Sequence, residues 1–505
     1  MRTVTGRSDR VVVVGAGLAG LSAALHLAGR GRDVTVVERE AWPGGRAGRL
    51  DVDGYRLDTG PTVLTMPDII DETFAAVGDD RSTRLELMAL DPAYRAVFAD
   101  GSSLDVHTDP EHMAAAITQF ADGTQAAGYR RLQDWLTRLY RTEFDGFIAR
   151  NFDSPLSLLT PQLARLAAIG GFRKWDSMVK RYISDPRLRR VFTFQSLYAG
   201  VAPQHALAVY AVIAYMDIVA GVFFPSGGVR ALPDALAAAA IDAGVRFHYG
   251  ACVTELERAD RRVAAVRTDR GHRIACDAVV LTTELPQTYA LLGRRPRRLG
   301  NLRPAPSAVV VHVACPRMPS EVAHHSILFG NAWEQTFDDI VRDGRLMRDP
   351  SLLVTRPTAS DSSLAPAGRD LLYVLAPAPN LTHPGIDWSA VGEDYAQQLL
   401  GVVADRLLPG LHDARVLHAV TPADWARQGM AAGTPFALSH TFSQTGPFRP
   451  ANTVRGIDNA VLAGSSTVPG VGVPTALISG RLAADRITGT VGHSTRRVIT
   501  KAALR

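Results

Sequence analysis

Four consecutive valines at 11–14 open the first ordered pattern in the chain, an apolar run with polar residues before it and glycines after it. A short run without alternation fits a strand of a parallel sheet, covered on both faces. Directly behind it, LSAALHLAGR (21–30) spaces its leucines and alanines with a helical period, and VTVV (34–37) repeats the β-branched run. Strand, helix and strand are therefore predicted in that order. Further on, the pattern predicts an alanine-rich helix over 232–243 and strands over 245–249 and 251–256. A hairpin through RRVAAVRTDRGHRIACDAVVL follows, ending in a strand at 278–281. Near the end, a strand at 460–463 leads through a glycine-rich loop into a helix opened by Pro474.

Between these α/β stretches, residues 109–224 read as helical and carry no nucleotide motif. TFQSLYAGVAPQHALAVYAVIAYMDIVAGVFF (193–224) mixes aromatic, aliphatic and small residues with a single formal charge, Asp217. This pattern fits a buried helical core and equally the wall of an apolar tunnel, with Tyr198, Tyr210, Tyr215, Met216 and Phe223 as candidate lining. Pro203 and several glycines interrupt the weakly charged span 191–229, so it is not read as a spanning helix. In SPLSLLTPQLARLAAIGGFRKWDSMVKRYI (154–183), Leu156, Leu158, Leu159, Leu163, Leu166 and Ile169 sit beside Arg165, Arg173, Lys174, Lys180 and Arg181. That mixture suits an interfacial segment and also a surface helix packed on its own domain.

Chemistry enters at the first strand's end. Gly15, Gly17 and Gly20 in GAGLAG permit a tight turn and close backbone approach to a pyrophosphate, and the following helix start (Leu18, Ala19) offers free N–H groups. Glu38, at the end of the second strand, stands where a carboxylate accepts hydrogen bonds from a ribose, with Arg39 beside it. Strand, glycines, helix, strand and acid in register constitute a dinucleotide fingerprint. Downstream, Gly44, Gly45 and Arg46 make a flexible turn bearing a guanidinium suited to a phosphate, and DTGP (58–61) forms a second tight turn.

Length and composition bound the answer. A chain of 505 residues implies about two to four domains, and 46% hydrophobic with 21% charged residues is a globular balance. A net charge of +5 over this length gives no argument for nucleic acid; clustered basic groups would suit an anionic membrane surface better. Cys252, Cys276 and Cys315 form no CxxC pair, so no disulfide framework or metal site is expected, and Cys252 and Cys276 are read as core residues. MRTVTGRSDR lacks the apolar stretch of a signal peptide, and a reducing cytoplasm is the expected location, with peripheral membrane association.

The GGR turn, the DTGP turn and the fingerprint together resemble the flavoprotein family that includes amine oxidases, protoporphyrinogen oxidase and the carotenoid desaturases. RLDTGPTVLTMPDII, GVFFPSGGVRALPDAL, SHTFSQTGPFRP and PGVGVPTALISGRLAA are similar to its bacterial-type phytoene desaturase branch. Many relatives carry an acid after the glycine of the last strand; here Gly464 is followed by Ser465 and Ser466, which points away from amine oxidases. The resemblance implies a Rossmann-type FAD-binding domain in three pieces (10–100, 225–300 and 456–490). It also implies a helical subdomain suited to membrane association (101–224), a substrate-binding sheet region (301–455) and a basic tail (491–505). It places FAD against Gly15, Gly17, Leu18, Ala19, Gly20, Glu38, Arg39, Gly45 and Arg46. The turn Thr59, Gly60, Pro61 and Thr62 would lie near the isoalloxazine, and Val253 would lay its backbone against the adenine. Thr282, Gly464 and Ser465, with Gly472, Val473 and Pro474 at the last helix, complete the set. No metal is implied.

The implied activity is desaturation of a long polyene such as phytoene, with oxygen or a quinone as final electron acceptor. At about 0.8 kcal/mol per CH₂, a forty-carbon chain carries on the order of 30 kcal/mol of transfer energy, so it must be taken from a bilayer. Hydride transfer to the flavin and loss of a proton from the neighbouring carbon would form each new double bond. His205, His440 and Glu284 could take that proton; none is assigned. Isomerisation of a carotenoid, amine oxidation and flavin-containing lipid carriage are the competing readings.

Overall fold

A computed structural model describes residues 1–294, 301–409, 411 and 414–490, apart from the side chain of Asp145; the tail expected at 491–505 lies outside them. The valine run forms the strand Arg10–Val14 at the middle of a five-stranded parallel sheet. Its neighbours are Asp33–Val37 on one side and Ala278–Leu281 on the other, with Arg246–His248 and Ala460–Leu462 at the two edges. The inner runs Val11–Val14, Val34–Val37 and Ala278–Leu281 are buried and almost wholly apolar because helices cover both faces, whereas the edge strand Arg246–His248 is polar and partly exposed. Three stretches far apart in sequence thus build one sheet. The helices Leu18–Ala28 and Val473–Thr488 pack closely on each other, and Ala231–Asp242 lies against the first of them. The last helix begins at Val473, with Pro474 its second residue rather than its first.

A second sheet has seven strands. In order they are Arg415–Val420, Ser307–Pro316, Arg369–Ala378, Leu352–Thr355, His325–Phe329, Tyr94–Phe98 and Ser103–Val106. All pairs are antiparallel except His325–Phe329 with Tyr94–Phe98. One face packs Val309, Val311, Leu372 and Val374 with Leu399 and Val403 of the helix Trp388–Arg406. The expected boundary at residue 100 falls inside a hairpin: residues 94–106 belong to this sheet. Nothing local in the run YRAVF reveals that correction, because its parallel partner lies far along the chain.

The region 110–218 is helical, as its pattern predicts, but mostly in short pieces. After the 21-residue helix Gly123–Glu143, capped by Asp122, come Pro161–Ala168, Trp175–Val179, Pro186–Val191 and Val212–Ile218. Prolines at the starts of two of these fix where each begins. A small antiparallel sheet then ties the region to the dinucleotide half, Val222–Pro225 pairing with Leu64–Thr65 and with Leu87–Ala89. Among the described residues, no helix is long and apolar enough to cross a membrane.

Candidate functional site

One continuous cavity of about 1770 Å³ runs from the ends of the parallel strands to the second sheet and the helical region. Of the twenty residues expected to hold the cofactor, nineteen line it; Gly20 does not. Gly20 serves the turn from behind, since a Cβ there would stand 1.9 Å from the Gly15 carbonyl oxygen. Gly15 itself adopts φ +104°, a left-handed backbone that glycine tolerates.

At the nucleotide end, Gly17 caps the helix Leu18–Ala28 without any side-chain hydrogen bond, so the first N–H groups face the cavity unclaimed. The Glu38 carboxylate is buried and accepts the Ala16 N–H at 2.6 Å and the Glu40 N–H at 2.9 Å. Arg39 donates to the Gln428 carbonyl and pairs with Glu40. Thr282 donates to the Val14 carbonyl at 2.8 Å, tying strand ends across the mouth of the sheet. Arg46 pairs with Glu284, while its Nε is buried with no partner.

Deeper in, the turn at 58–61 rests on a polar row of the seven-stranded sheet. Cross-strand pairing aligns His418, His312, Tyr373, Thr355 and His325 on one face. His312 Nε2 lies 2.9 Å from the Asp58 carbonyl oxygen, and the Tyr373 hydroxyl donates to the Gly60 carbonyl at 3.1 Å. The next row on the same face, Val420, Val310, Leu375 and Leu353, is apolar and floors the cavity. At about 4.8 Å between strands, the five strands from His418 to His325 span about 19 Å. Opposite stands the helix Val473–Thr488, whose cap Gly472 contributes no side chain. Its preceding loop is held by buried Arg449 of the FRP segment, which donates to the carbonyls of Thr467 and Ser465. Burial lowers this guanidinium to about 10.

These residues fit a flavin dinucleotide. Two helix starts present uncapped N–H groups to one cavity, and the unpartnered Arg46 Nε is a donor awaiting an acceptor such as a phosphate or ring oxygen. The cavity then continues as an apolar channel past the end a ring would occupy.

Tyr198, Tyr210 and Met216 line that channel, as expected of a tunnel wall. Tyr215 and Phe223 do not: Tyr215 stacks on Tyr140 at 4.2 Å, and Phe223 sits in the small sheet beside Gly221. Titratable side chains, among them Glu143, Asp217, His325 and His440, break the apolar lining. Burial alone raises the Glu143 carboxyl well above its usual range, and Glu143 Oε1 has no partner. Burial pushes Asp217 up to about 7, opposed only by the neighbouring Gln195 amide. His325 is driven down to about 4 by burial, and His440 well below its usual value by burial and then by Arg449.

Of the three residues weighed as proton acceptors, His205 is exposed and outside the cavity, Glu284 is paired with Arg46, and His440 lines the channel against Gly470. Sequence reasoning missed Glu143 and Asp217. The signal for Asp217 was its isolation as the lone charge in a long uncharged span. Cys276 is buried as expected, but Cys252 is exposed, just ahead of the strand Val253–Ala259.

The channel's rim carries Leu158, Leu159, Phe172 and Phe442. Leu156 and Leu159 are 74% and 75% exposed and Phe442 60%, far more than apolar side chains of this size usually are. Leu166, by contrast, is buried, and Lys180 pairs with Asp176.

Residues 18–488 match the family described as flavin containing amine oxidoreductase. The chain is 61% identical to a phytoene dehydrogenase of Streptomyces griseus over 97% of each chain. It is 38% identical to a zeta-carotene-forming phytoene desaturase of Myxococcus xanthus, covering 95% of this chain and 93% of that one. A lycopene-forming phytoene desaturase of Pantoea ananas is 32% identical over 94% and 97%. Among solved structures, putrescine oxidase bound to putrescine superposes with a TM-score of 0.63 at 17% identity, over 94% of this chain and 98% of that one, a likeness of fold alone. The fold, the paired cofactor and channel geometry and these likenesses agree: the chain belongs to the flavin-containing amine oxidoreductase family, in its phytoene desaturase branch.

Proposed function

We propose that this chain is an FAD-dependent desaturase that converts phytoene to a more conjugated carotene. The observation that carries the reading is the single cavity, in which a dinucleotide cradle opens without a partition into an apolar channel. Bound FAD supplies the two-electron acceptor for removal of hydrogen from the hydrocarbon. The chain's own residues do the rest. The fingerprint turn with Glu38, Arg46, Thr282 and Val253 holds the nucleotide, while the turn 59–62, Gly464, Ser465 and the start at Gly472, Val473 and Pro474 frame the ring. The row Val420, Val310, Leu375 and Leu353 and the side chains Tyr198, Tyr210 and Met216 align an extended polyene and keep water from a cationic reaction centre.

The rim supports a peripheral membrane role. Leu156, Leu159, Phe172 and Phe442 are exposed next to the channel mouth, with Arg165, Arg173 and Lys174 exposed nearby. Docked on a bilayer, this mouth receives a substrate that does not dissolve in water. Oxygen or a quinone serves as the final electron acceptor.

Expression in a phytoene-accumulating host tests the function. The expected result is pigment whose absorption bands move to longer wavelength by whole added double bonds. Unchanged phytoene, or a product altered only in cis–trans geometry, overturns the reading.

A further inference from the structure

Desaturation requires a base as well as a hydride acceptor, and the channel offers few. Among the described residues, its acidic lining on the substrate side consists of Glu143 and Asp217. We infer that Asp217 accepts the proton released as each new double bond forms, an assignment that rests on the desaturase function proposed above. The position is set by the fold. Asp217 lies on the helix Val212–Ile218, and the strand that follows, Val222–Pro225, pairs with Leu64–Thr65 directly after the turn 59–62. The helix bearing it is thereby fastened to the segment expected to frame the flavin ring, and Asp217 lines the channel close to Tyr198.

The alternatives hold their protons or their partners. Glu143, at the end of the neighbouring helix, is raised well above its usual range by burial, which favours its neutral form over the carboxylate a base requires. Protonating His440 would place a second buried cation beside Arg449. Glu284 is engaged by Arg46. Asp217 is different: burial, opposed only by the Gln195 amide, brings it to about 7, so near neutrality a large share of molecules carries a carboxylate with no charged partner. Among the described residues, the titratable groups around it are Tyr198 and Tyr94, both raised further by its charge, with Glu143 at the end of the helix packed against its own and His325 in the same cavity lining. None of these is cationic at neutral pH, so no counterion weakens it as a base.

The balance of the step is simple. One carbon gives up a hydride with its electron pair to the flavin. The adjacent C–H bond breaks, its electrons become the new π bond, and its proton forms an O–H bond at an Asp217 carboxylate oxygen. The resulting acid returns its proton to solvent when product leaves. The charge of Asp217 also stabilises the electron-poor carbon while it exists.

The test uses full-length flavin-loaded enzyme with phytoene in vesicles, together with flavin-free protein. Asp217→Asn is expected to cut kcat by at least about 100-fold while keeping the wild-type flavin-to-protein ratio. Asp217→Glu is expected to retain turnover with a displaced acid limb of the pH–rate profile. In flavin-free protein, the melting-temperature difference between Asp217→Asn and wild type should change between pH 4 and 8, because wild type loses stability as pH rises through the carboxyl's titration. Asn turnover within threefold of wild type overturns the assignment. So does an acid limb that stays fixed in Asp217→Glu, or a melting difference that is flat with pH. Wild-type enzyme that leaves phytoene unchanged would instead sink the desaturase function itself.

Discussion

The Tyr373 hydroxyl and the Gly60 carbonyl, 313 residues apart, are joined by a 3.1 Å hydrogen bond. It fastens the second sheet to the turn that frames the ring end of the cavity. Tyr373 is buried, so removing its hydroxyl leaves the carbonyl without that partner. Tyr373→Phe is expected to cost about 1 kcal/mol of stability, read as a lower denaturant midpoint. The released turn should also weaken FAD retention severalfold in a fluorescence titration.

Gly60 sits against the turn at Arg46 so closely that a Cβ would stand 1.9 Å from the Arg46 carbonyl oxygen. A backbone atom cannot swing aside as a side chain can. Gly60→Ala must therefore separate the two turns, at a cost of about 1–3 kcal/mol. The expected purified protein is pale, with less than a tenth of the wild-type flavin absorbance, and regains little colour on adding FAD. Wild-type colour would show that the two turns can part without harm.

Much of the dinucleotide half was legible in the sequence because its signals are local. The valine run, the glycine spacing and Glu38 all fall within one βαβ unit, and each acts through backbone geometry that a few adjacent residues dictate. The channel was less legible because its residues act through distant partners. Tyr215 and Met216 are neighbours in sequence, yet one stacks on Tyr140 and the other faces the cavity. The polar row from His418 to His325 exists only through cross-strand register. Asp217 was visible as a lone charge, but its meaning needed the helix around it and the apolar wall it interrupts.

His325 titrates in a way that can be read as stability. Burial lowers it from 6.5 to about 4, so between those values the unfolded chain binds a proton that the folded chain refuses. Its contribution is present above pH 6.5 and is lost as pH falls through about 4, an effect of order 3 kcal/mol at about 1.4 kcal/mol per unit. Asp58 and Asp217 oppose it: raised to about 6 and about 7, they contribute stability that is lost as pH rises. A difference measurement isolates the histidine. His325→Gln should be less stable than wild type at pH 7.5, with the gap closing steadily toward pH 4. A gap independent of pH would show that folding leaves the titration of His325 unshifted.

The rim of the channel gives the membrane proposal two separable components. Leu156 and Leu159 each expose about three-quarters of their surface, and inserting two leucines into hydrocarbon is worth roughly 3–5 kcal/mol. That contribution is independent of lipid charge and of salt. Arg173 and Lys174, which follow the cavity-lining Phe172, are exposed and would contribute about 1 kcal/mol each at an anionic surface, screened as ionic strength rises. In vesicle flotation, Leu156→Asp with Leu159→Asp should reduce binding at least tenfold on neutral and anionic vesicles alike. Arg173→Glu with Lys174→Glu should reduce binding on anionic vesicles at low salt and leave neutral vesicles nearly unaffected. Both variants leave the cavity's cofactor end untouched, so flavin content should match wild type. If the leucine pair floats as wild type does, the mouth at 155–172 is not where the bilayer meets the protein.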